Sequence, residues 1–311
     1  MRGSVRRLGG RLYVLTLVLL LTSGCAANFS QPVISLSVLS PLPAPPENEI
    51  IPLRVSVAAV ISPRGTVESY QPLLNYLSEA LDRPVELVQR RTYEETNDLV
   101  ESGEVDLAFV CTSAYVTGHD DFDMRLLVAP EVNGATTYHS LLIVPLDSPA
   151  KTMADLQGKV FAFTDPISNS GRVYPTYLVQ QLGFTPETFF ARTFFTYNHD
   201  DAIRAVADKL ADGAAVDSLV YEYAIDRDPT LLERVRVIHR SPAFGIPPVV
   251  VSPNIRPQIR ALLQETLLNM GQDPEGQTAL TSLGIDAFVL IDDPAYDTAR
   301  QLINEVGALA P

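Results

Sequence analysis

The sequence has very little cysteine, which excludes a fold held together by internal disulfides. Of the 311 residues only Cys25 and Cys111 are cysteines, and Cys25 ends an N-terminal segment that is typical of an export signal. An exported domain without disulfides depends on its hydrophobic core, and the roughly 260 residues beyond position 51 are enough for one large or two medium domains. Cys111 follows an apolar run and is interpreted as a small buried side chain, with a catalytic thiol as the alternative.

Residue patterns for metal binding and catalysis are also missing. The histidines are too scattered for i,i+3 or i,i+4 pairs and form no cluster with cysteine: His119, His139, His199 and His239. Neither a G-x-S-x-G elbow nor a phosphate-binding G-x-x-x-x-G-K occurs, so a serine hydrolase and a P-loop enzyme have no support. We therefore predict no cofactor, no metal ion and no enzymatic activity.

The N-terminus predicts export. Residues 1–25 combine arginines, the apolar run 12–21 and small residues before Cys25. That order resembles a bacterial lipoprotein processing site and predicts lipidation at Cys25, although Thr22 stands where leucine is usual; the alternative is a plain secretory signal. Residues 26–51 are rich in proline and serine, which predicts an extended tether.

The charge balance is acidic. The formal net charge is −14, and removal of the four arginines in the signal makes it −18. Such a surface argues against nucleic acid or anionic lipid as the main partner.

From residue 53 the chain alternates short β-type runs with helical segments, which predicts an α/β protein with a mostly parallel sheet. The predicted strands are 53–60, 84–88, 106–110, 138–144, 160–163, 194–197, 214–220 and 235–239, and a return segment starts at 247–251. The predicted helices are 67–81, 93–103, 148–159, 173–182, 202–210, 257–270 and 295–308.

The stretch 160–175 reads V-F-A-F-T-D-P-I-S-N-S-G-R-V-Y-P and is the strongest candidate for a binding site. A strand ends before Pro166, three polar side chains follow at Ser168, Asn169 and Ser170, and a helix begins after Gly171. The first backbone N–H groups of a helix are unpaired and carry the positive end of its dipole, so this junction can hold an anion. The alternative is an ordinary serine-rich helix cap.

Two other strand-to-helix junctions carry small hydroxyls, with Ser62 and Thr66 at the first and Thr112 and Ser113 at the second. Because such junctions meet at one edge of an α/β sheet, we predict that their neutral donors converge on an oxyanion. Arg172 is either an added cation or a solvent-facing side chain. His199 begins a helix and is predicted to donate to a ligand oxygen, with a helix-cap histidine as the alternative.

The motifs resemble those of the periplasmic phosphonate-binding proteins of ABC transporters. The loop D-P-I-S-N-S-G at 165–171 with Pro175 is similar to that family's D-P-x-S-T-S-G…P signature. Further similar motifs occur in the same order at Tyr93 in T-Y-E-E-T, Tyr115 after V-D-L-A-F, Tyr138-His139-Ser140, 155–159, 199–202, and 241–242 with 247–248.

The resemblance implies a two-lobed, type II periplasmic-binding-protein fold whose lobes are joined by two crossover strands. One lobe would combine 52–145 with 245–311, and the other would span 146–244. The ligand would lie in the cleft, its oxygens held by Ser168, Ser170 and backbone N–H groups, with Tyr93, Tyr138 and His199 around it.

Two departures from the family pattern concern the ligand. Asn169 replaces the usual threonine, which keeps a donor but loses a hydroxyl. Family members that bind 2-aminoethylphosphonate use carboxylates for the amine, and those positions align with Leu219 and Pro247, unless Asp217 or Glu222 substitutes. We therefore predict phosphate, phosphite or a simple alkylphosphonate.

The resulting prediction is a monomeric, exported, lipid-anchored or periplasmic solute-binding protein that delivers a small phosphorus oxyanion to an ABC permease in the membrane. The alternative is a sensing subunit of the same fold that presents a small ligand to a membrane receptor kinase.

Overall fold

A computed structural model describes residues 51–307. The predicted signal at 1–25, its lipidation site Cys25 and the predicted tether at 26–51 lie outside the described residues, apart from Ile51.

Short strands recur along the whole described chain. They are β1 (Leu53–Val57), β2 (Val85–Val88), β3 (Leu107–Phe109), β4 (Arg125–Glu131), β5 (Thr137–Tyr138), β6 (Ser140–Pro145), β7 (Val160–Phe163), β8 (Arg192–Phe195), β9 (Gly213–Asp217), β10 (Val235–Arg240), β11 (Phe244–Gly245), β12 (Val249–Val251) and β13 (Ala287–Val289).

These strands form two large sheets, and each large sheet defines a lobe. The first lobe has six strands in the order β13-β4-β12-β3-β1-β2, and the second has five in the order β10-β6-β9-β7-β8. In the first, β1 is parallel to β2 and β3 while the remaining neighbours are antiparallel. In the second, β7 is parallel to β8 and β9, and β6 is antiparallel to β9 and β10. Both sheets are therefore mixed, and the prediction of a mostly parallel sheet was wrong.

Helices follow most strands and cover the sheets. The α-helices are Pro63–Ala80, Tyr93–Ser102, Thr112–Phe122, Tyr174–Gln181, Pro186–Phe189, His199–Ala207, Ser218–Arg227, Pro257–Asn269, Pro274–Leu283 and Asp297–Val306. Shorter 3-10 turns occupy Met153–Leu156, Pro229–Glu233, Met270–Gln272 and Asp293–Tyr296.

Local sequence explains where several of these helices begin. Thr92 accepts the backbone N–H of Glu95, whose carboxylate in turn accepts the N–H of Thr92, so a capping box starts the helix Tyr93–Ser102. The side chain of Asn198 likewise accepts the N–H of Asp201 at the start of His199–Ala207.

Each lobe has its own apolar core. Leu53, Val55 and Leu107 pack under the first sheet with the helices Pro63–Ala80 and Pro257–Asn269. All residues of β6 and β9 are buried, as expected for central strands that are covered on both faces.

The third sheet, β5 with β11, joins the two segments that pass between the lobes. The division at 145/146 and 244/245 stays a prediction. Because β6 pairs within the five-stranded sheet, we propose that the first crossing lies at residues 137–139, ahead of the predicted boundary.

Some elements differ from the sequence prediction. The predicted strand 214–220 ends at Asp217, and its last residues belong to the helix Ser218–Arg227. Strands β4 and β13 and the helix Pro274–Leu283 were not predicted. None of the helices within residues 51–307 is long and apolar enough to span a membrane.

Candidate functional site

The loop after β7 enters the next helix through a wide π-type turn over Asn169–Val173. Within it, the backbone N–H of Tyr174 donates to the carbonyl of Asn169, five residues back. A π-turn displaces backbone groups from the regular α-helical pattern, and such turns are frequent at functional sites. The predicted anion-binding junction is thus a helix entry with non-standard backbone geometry.

Gly171 is required at its position because the backbone passes very close to Thr164. A Cβ atom added there would lie 1.8 Å from the hydroxyl oxygen of Thr164 and 2.8 Å from its Cβ. Van der Waals contact needs more than 3 Å, so any larger residue displaces the loop. Glycine therefore holds the loop against the end of β7.

Ser168, Asn169 and Ser170 are all buried. Ser168 Oγ accepts the backbone N–H of Gly171 at 3.1 Å. Asn169 Nδ2 donates to the Tyr138 hydroxyl at 3.0 Å, and Asn169 Oδ1 has no partner among the described residues. Ser170 Oγ is also buried without a partner within residues 51–307. A buried hydroxyl without a partner costs free energy, so these atoms are suited to a ligand.

Two tyrosines add hydroxyl donors. The Tyr93 side chain is fully buried and its hydroxyl finds no partner in the described part of the chain. Burial raises the pKa of Tyr93 and of Tyr138 well above the ordinary value, so both phenols keep their protons. Each can therefore donate a hydrogen bond.

Asp165 holds Tyr93 in place. Its carboxylate accepts the backbone N–H of Tyr93 at 3.1 Å from one lobe and that of Ile167 at 3.0 Å from the other. Burial, only partly offset by these two bonds, raises the pKa of Asp165 to about 6. The carboxyl group thus couples the start of helix Tyr93–Ser102 to the binding loop.

His199 is present as the neutral imidazole. The backbone N–H of Asp217 donates to Nδ1 at 3.0 Å, so the ring proton is on Nε2. Nε2 lies 3.5 Å from Ser168 Oγ, toward which it donates. Burial lowers the pKa of His199 to about 3. His199 can therefore donate without a positive charge.

We call the following side chains the donor cluster: Tyr93, Tyr138, Ser168, Ser170 and His199. His199 contacts Ser168, Asn169 links the loop to Tyr138, and Tyr138 packs in the same buried group as Tyr93. Ser168 Oγ accepts from both Gly171 N–H and His199 Nε2–H, which leaves its own proton for donation. The cluster presents several neutral donors and no cationic side chain, so it can bind an oxyanion without the desolvation of a counter-charge.

The strand end at Cys111 borders the donor cluster. The Thr112 hydroxyl donates to the carbonyl of Gly245 at 2.8 Å, and the Ser113 hydroxyl donates to the carbonyl of Ile167. These two hydroxyl protons therefore support the crossover strand and the binding loop. Burial raises the pKa of the Cys111 thiol, although the backbone N–H of Asn169 opposes that change. A buried thiol with a raised pKa is a weak nucleophile at neutral pH.

Two predicted contributors lie outside the donor cluster. Ser62 lies at the start of helix Pro63–Ala80, where its backbone N–H donates to Asp200 at 2.7 Å, and it borders a surface groove with Arg204 and Arg227. Arg172 is buried with its guanidinium 4.2 Å from the centre of the Phe163 ring. Of the two interpretations of Arg172, that of a solvent-facing side chain was wrong, because Phe163 and Phe195 of the second lobe cover the guanidinium.

An apolar cavity of about 160 Å³ lies beside the donor cluster. The two share a boundary, because the carbonyl of Val60 in the cavity wall accepts the backbone N–H of His199 at 2.9 Å. Asp217 also lines the cavity, and its carboxylate accepts the backbone N–H of Leu219 at 2.7 Å. Burial raises the pKa of Asp217 to about 7.

Sequence reasoning missed several supporting residues. Asp165 was interpreted as a strand end and as part of the family signature, without a role in positioning Tyr93. Ser140, whose hydroxyl donates to the Ser170 carbonyl at 2.7 Å, was interpreted only as part of a family motif. Asp-Pro after a strand was the available signal for Asp165. In residues 51–307 no three His, Cys, Asp or Glu side chains are grouped as metal ligands.

Two sheet-based lobes, two crossing segments and a buried donor site between them define a type II periplasmic binding protein. The chain belongs to the phosphonate-binding family of ABC transporter periplasmic substrate-binding proteins, whose family model matches residues 55–296.

Similar proteins carry related descriptions. The phosphonates-binding periplasmic protein of Escherichia coli is 26% identical over 265 residues, which is 84% of this chain and 78% of that protein. The phosphate-import protein PhnD of Mycolicibacterium smegmatis is 29% identical over 206 residues, 62% of this chain and 64% of the relative.

Solved structures share the fold. A binding protein component of an ABC phosphonate transporter from Pseudomonas aeruginosa superposes with a TM-score of 0.77 at 23% identity, covering 82% of this chain and 86% of that one. PhnD1 from Prochlorococcus marinus, solved with methylphosphonate, has a TM-score of 0.73 at 17% identity over 82% and 97% of the two chains.

Proposed function

We propose that this substrate-binding protein captures a phosphonate, phosphite or phosphate ion in the donor cluster and delivers it to an ABC permease. The relatives described as phosphonate-binding and phosphate-importing support this ligand class. The observation that carries the proposal is the set of buried hydroxyls at Tyr93 and Ser170 that have no partner among the described residues.

The geometry favours a tetrahedral oxyanion that is bound by neutral hydrogen-bond donors over an anion that requires a cationic side chain of the protein. The proposed donors to the ligand oxygens are the hydroxyls of Ser168, Ser170, Tyr93 and Tyr138, while His199 Nε2–H donates to Ser168 Oγ. The π-turn adds the positive end of a helix, which favours a negative charge. We expect Asn169 to orient Tyr138 and to accept a hydrogen bond from a protonated ligand oxygen.

Isothermal titration of the purified full chain with phosphate, phosphite, methylphosphonate and 2-aminoethylphosphonate tests the ligand class. We expect sub-millimolar affinity for at least one of the four. Absence of heat from all four contradicts the assignment while leaving the fold intact.

The double variant Ser168→Ala with Ser170→Ala tests the location. We expect at least a hundredfold loss of affinity, because two hydrogen bonds to an ion contribute about 1.5–3 kcal/mol each. The matched control is Thr266→Ala with Thr278→Ala, two exposed hydroxyls that bond carbonyls of their own helices. Equal affinity in both double variants places the site elsewhere.

We further propose that the chain does not catalyse, acts as a monomer and is anchored through a lipid on Cys25. His199 accepts a backbone N–H on Nδ1 and is difficult to protonate, which makes it a poor acid–base catalyst. Turnover of a phosphonate ester would contradict the absence of catalysis. A dimer mass in light scattering would contradict the monomeric state. Release of a Cys25→Ala chain from membranes supports the lipid anchor, whereas retention contradicts it.

A further inference from the structure

The apolar cavity beside the donor cluster is not needed to bind an inorganic oxyanion. Its wall combines Val57, Val60 and Phe109 of the first lobe, Leu219 of the second and the crossing residue Pro247. Both lobes therefore contribute to it, as they do to the donor cluster. The cavity meets the cluster at His199, whose backbone N–H donates to Val60 and whose Nδ1 accepts the N–H of Asp217. Val60 and Leu219 of the cavity wall also pack against the apolar group that contains Tyr93 and Tyr138.

The volume of the cavity indicates which substituents would fill it. About 160 Å³ matches the roughly 150 Å³ of an engineered apolar cavity that binds benzene. A methyl group fills only a small part of this volume. A propyl chain or a phenyl ring is a closer fit.

The polar groups in the wall already have partners. Ser69 and Tyr223 hydrogen bond to each other across the lobes at 2.6 Å, and Asp217 caps the helix that begins at Ser218. An ammonium group placed here loses its hydration and meets one carboxyl group that is already bonded to backbone N–H. A hydrocarbon group has no charge to desolvate, and it displaces water from the apolar wall.

We propose that the ligand is an organic phosphonate whose substituent on phosphorus is an uncharged hydrocarbon of up to about phenyl size, and that this substituent occupies the apolar cavity. The inference rests on the proposed function, since it assumes that the phosphonate oxygens lie in the donor cluster.

A ligand series tests the proposal by isothermal titration of the full chain with methylphosphonate, propylphosphonate, phenylphosphonate and 2-aminoethylphosphonate. We expect affinity to rise about fourfold per buried methylene, so that propylphosphonate binds at least tenfold tighter than methylphosphonate. Phenylphosphonate should bind at least as tightly as propylphosphonate. The isosteric 2-aminoethylphosphonate should bind at least tenfold more weakly than propylphosphonate.

Variants that fill the cavity provide an independent test. Leu219→Trp should weaken phenylphosphonate at least tenfold and change methylphosphonate less than threefold. Leu210→Trp, at a residue that is 64% exposed, is the matched control and should leave both affinities unchanged. Val60→Phe is a second filling variant should Leu219→Trp fail to fold.

The outcomes separate the two proposals. Equal affinities for methyl-, propyl- and phenylphosphonate, or tightest binding of 2-aminoethylphosphonate, overturn the hydrocarbon assignment while the proposed function stands. A tenfold loss of methylphosphonate affinity in Leu219→Trp also overturns it. No binding of any of these ligands, or of phosphite and phosphate, overturns the proposed function and this inference together.

Discussion

The donor cluster and the apolar cavity are neighbours with opposite chemistry. The cluster is built from hydroxyls and an imidazole that lie on three separate elements and the crossing segment. The cavity is walled mainly by aliphatic and aromatic side chains of both lobes. Hydrogen bonds to an ion are directional, whereas apolar burial depends mainly on area. Under these proposals, we expect the cluster to provide most of the affinity for the oxyanion and the cavity to determine which substituent binds.

The largest loss of ligand affinity is expected from Gly171→Ala. The added Cβ collides with Thr164, which shifts the π-turn and with it Ser168 and Ser170. We expect phosphonate affinity to fall more than about a hundredfold, since catalytic or binding groups misplaced by about 1 Å lose that much. Titration calorimetry with methylphosphonate measures the effect.

Gly271→Ala is the control for that variant, because the nearest atom to its added Cβ is a Leu280 methyl at 3.6 Å. If Gly171→Ala binds as tightly as Gly271→Ala, the binding loop is not part of the site.

His199→Phe is expected to have the next largest effect. Phenylalanine removes the Nε2 donor and leaves the Asp217 N–H without its acceptor. We expect about a tenfold weaker affinity for every phosphonate in the series, because Ser168 loses the Nε2–H donor that leaves its own proton for the ligand. Unequal losses across the series contradict a role confined to the oxyanion.

The charge state of His199 predicts the pH behaviour. Its pKa of about 3 lies far below neutral pH, so the donor remains neutral between pH 5 and 8. The affinity difference between the parent chain and His199→Phe should stay constant over that range. A bell-shaped dependence centred near pH 6.5 contradicts the neutral-donor assignment.

Leu219→Glu places a polar, charged side chain in the wall of the apolar cavity. A carboxylate in an apolar wall must be desolvated or must hold the space open to water. We expect phenylphosphonate to lose about tenfold in affinity, while 2-aminoethylphosphonate gains because its ammonium finds a partner. Leu210→Glu, at an exposed site, serves as the control in the same titrations.

Asp217→Asn is expected to affect ligand affinity least and to change the pH dependence of stability. Burial raises the pKa of Asp217 from about 3.8 unfolded to about 7 folded, so the native state holds a proton that the unfolded state releases. Stability from this group is present below pH 4 and falls as pH rises toward 7. Asparagine removes that decline while still capping the helix.

Thermal unfolding at pH 5 and pH 8 measures this effect. The unfolding temperature of the parent chain should fall a few degrees more from pH 5 to pH 8 than that of Asp217→Asn. The variant Asp226→Asn, at an exposed position, should show the same fall as the parent. Identical declines in all three chains contradict the assignment to Asp217.

Local residue chemistry was sufficient for much of the binding loop. A β-type run before Asp165-Pro166 and polar residues before Gly171 predicted a strand, a loop and a helix, and β7 occupies 160–163 as expected. Tyr93 was correctly predicted to open a helix. These features depend on neighbours within a few residues, so they can be predicted from the local sequence.

Other predictions failed where distant packing decides. Val220 has strand propensity, yet Asp217 caps a helix because its carboxylate reaches Leu219 N–H at the end of β9. The guanidinium of Arg172, in the π-turn, lies over the ring of Phe163 in β7. This contact joins residues on separate elements. Side-chain direction in such cases follows tertiary packing rather than local propensity.

By itself, the sequence determined the family motifs, the acidic charge, the alternation of strands and helices and the polar loop at 168–171. Only the tertiary structure decided which polar groups face one another. It directed Thr112 and Ser113 to backbone carbonyls and left Tyr93 and Ser170 without partners in the described chain. It also placed an apolar cavity next to His199, which hydrogen bonds to Val60 and Asp217 of the cavity wall. The physical reason is that each hydroxyl satisfies whichever acceptor packing brings within reach, and packing joins residues far apart in the chain.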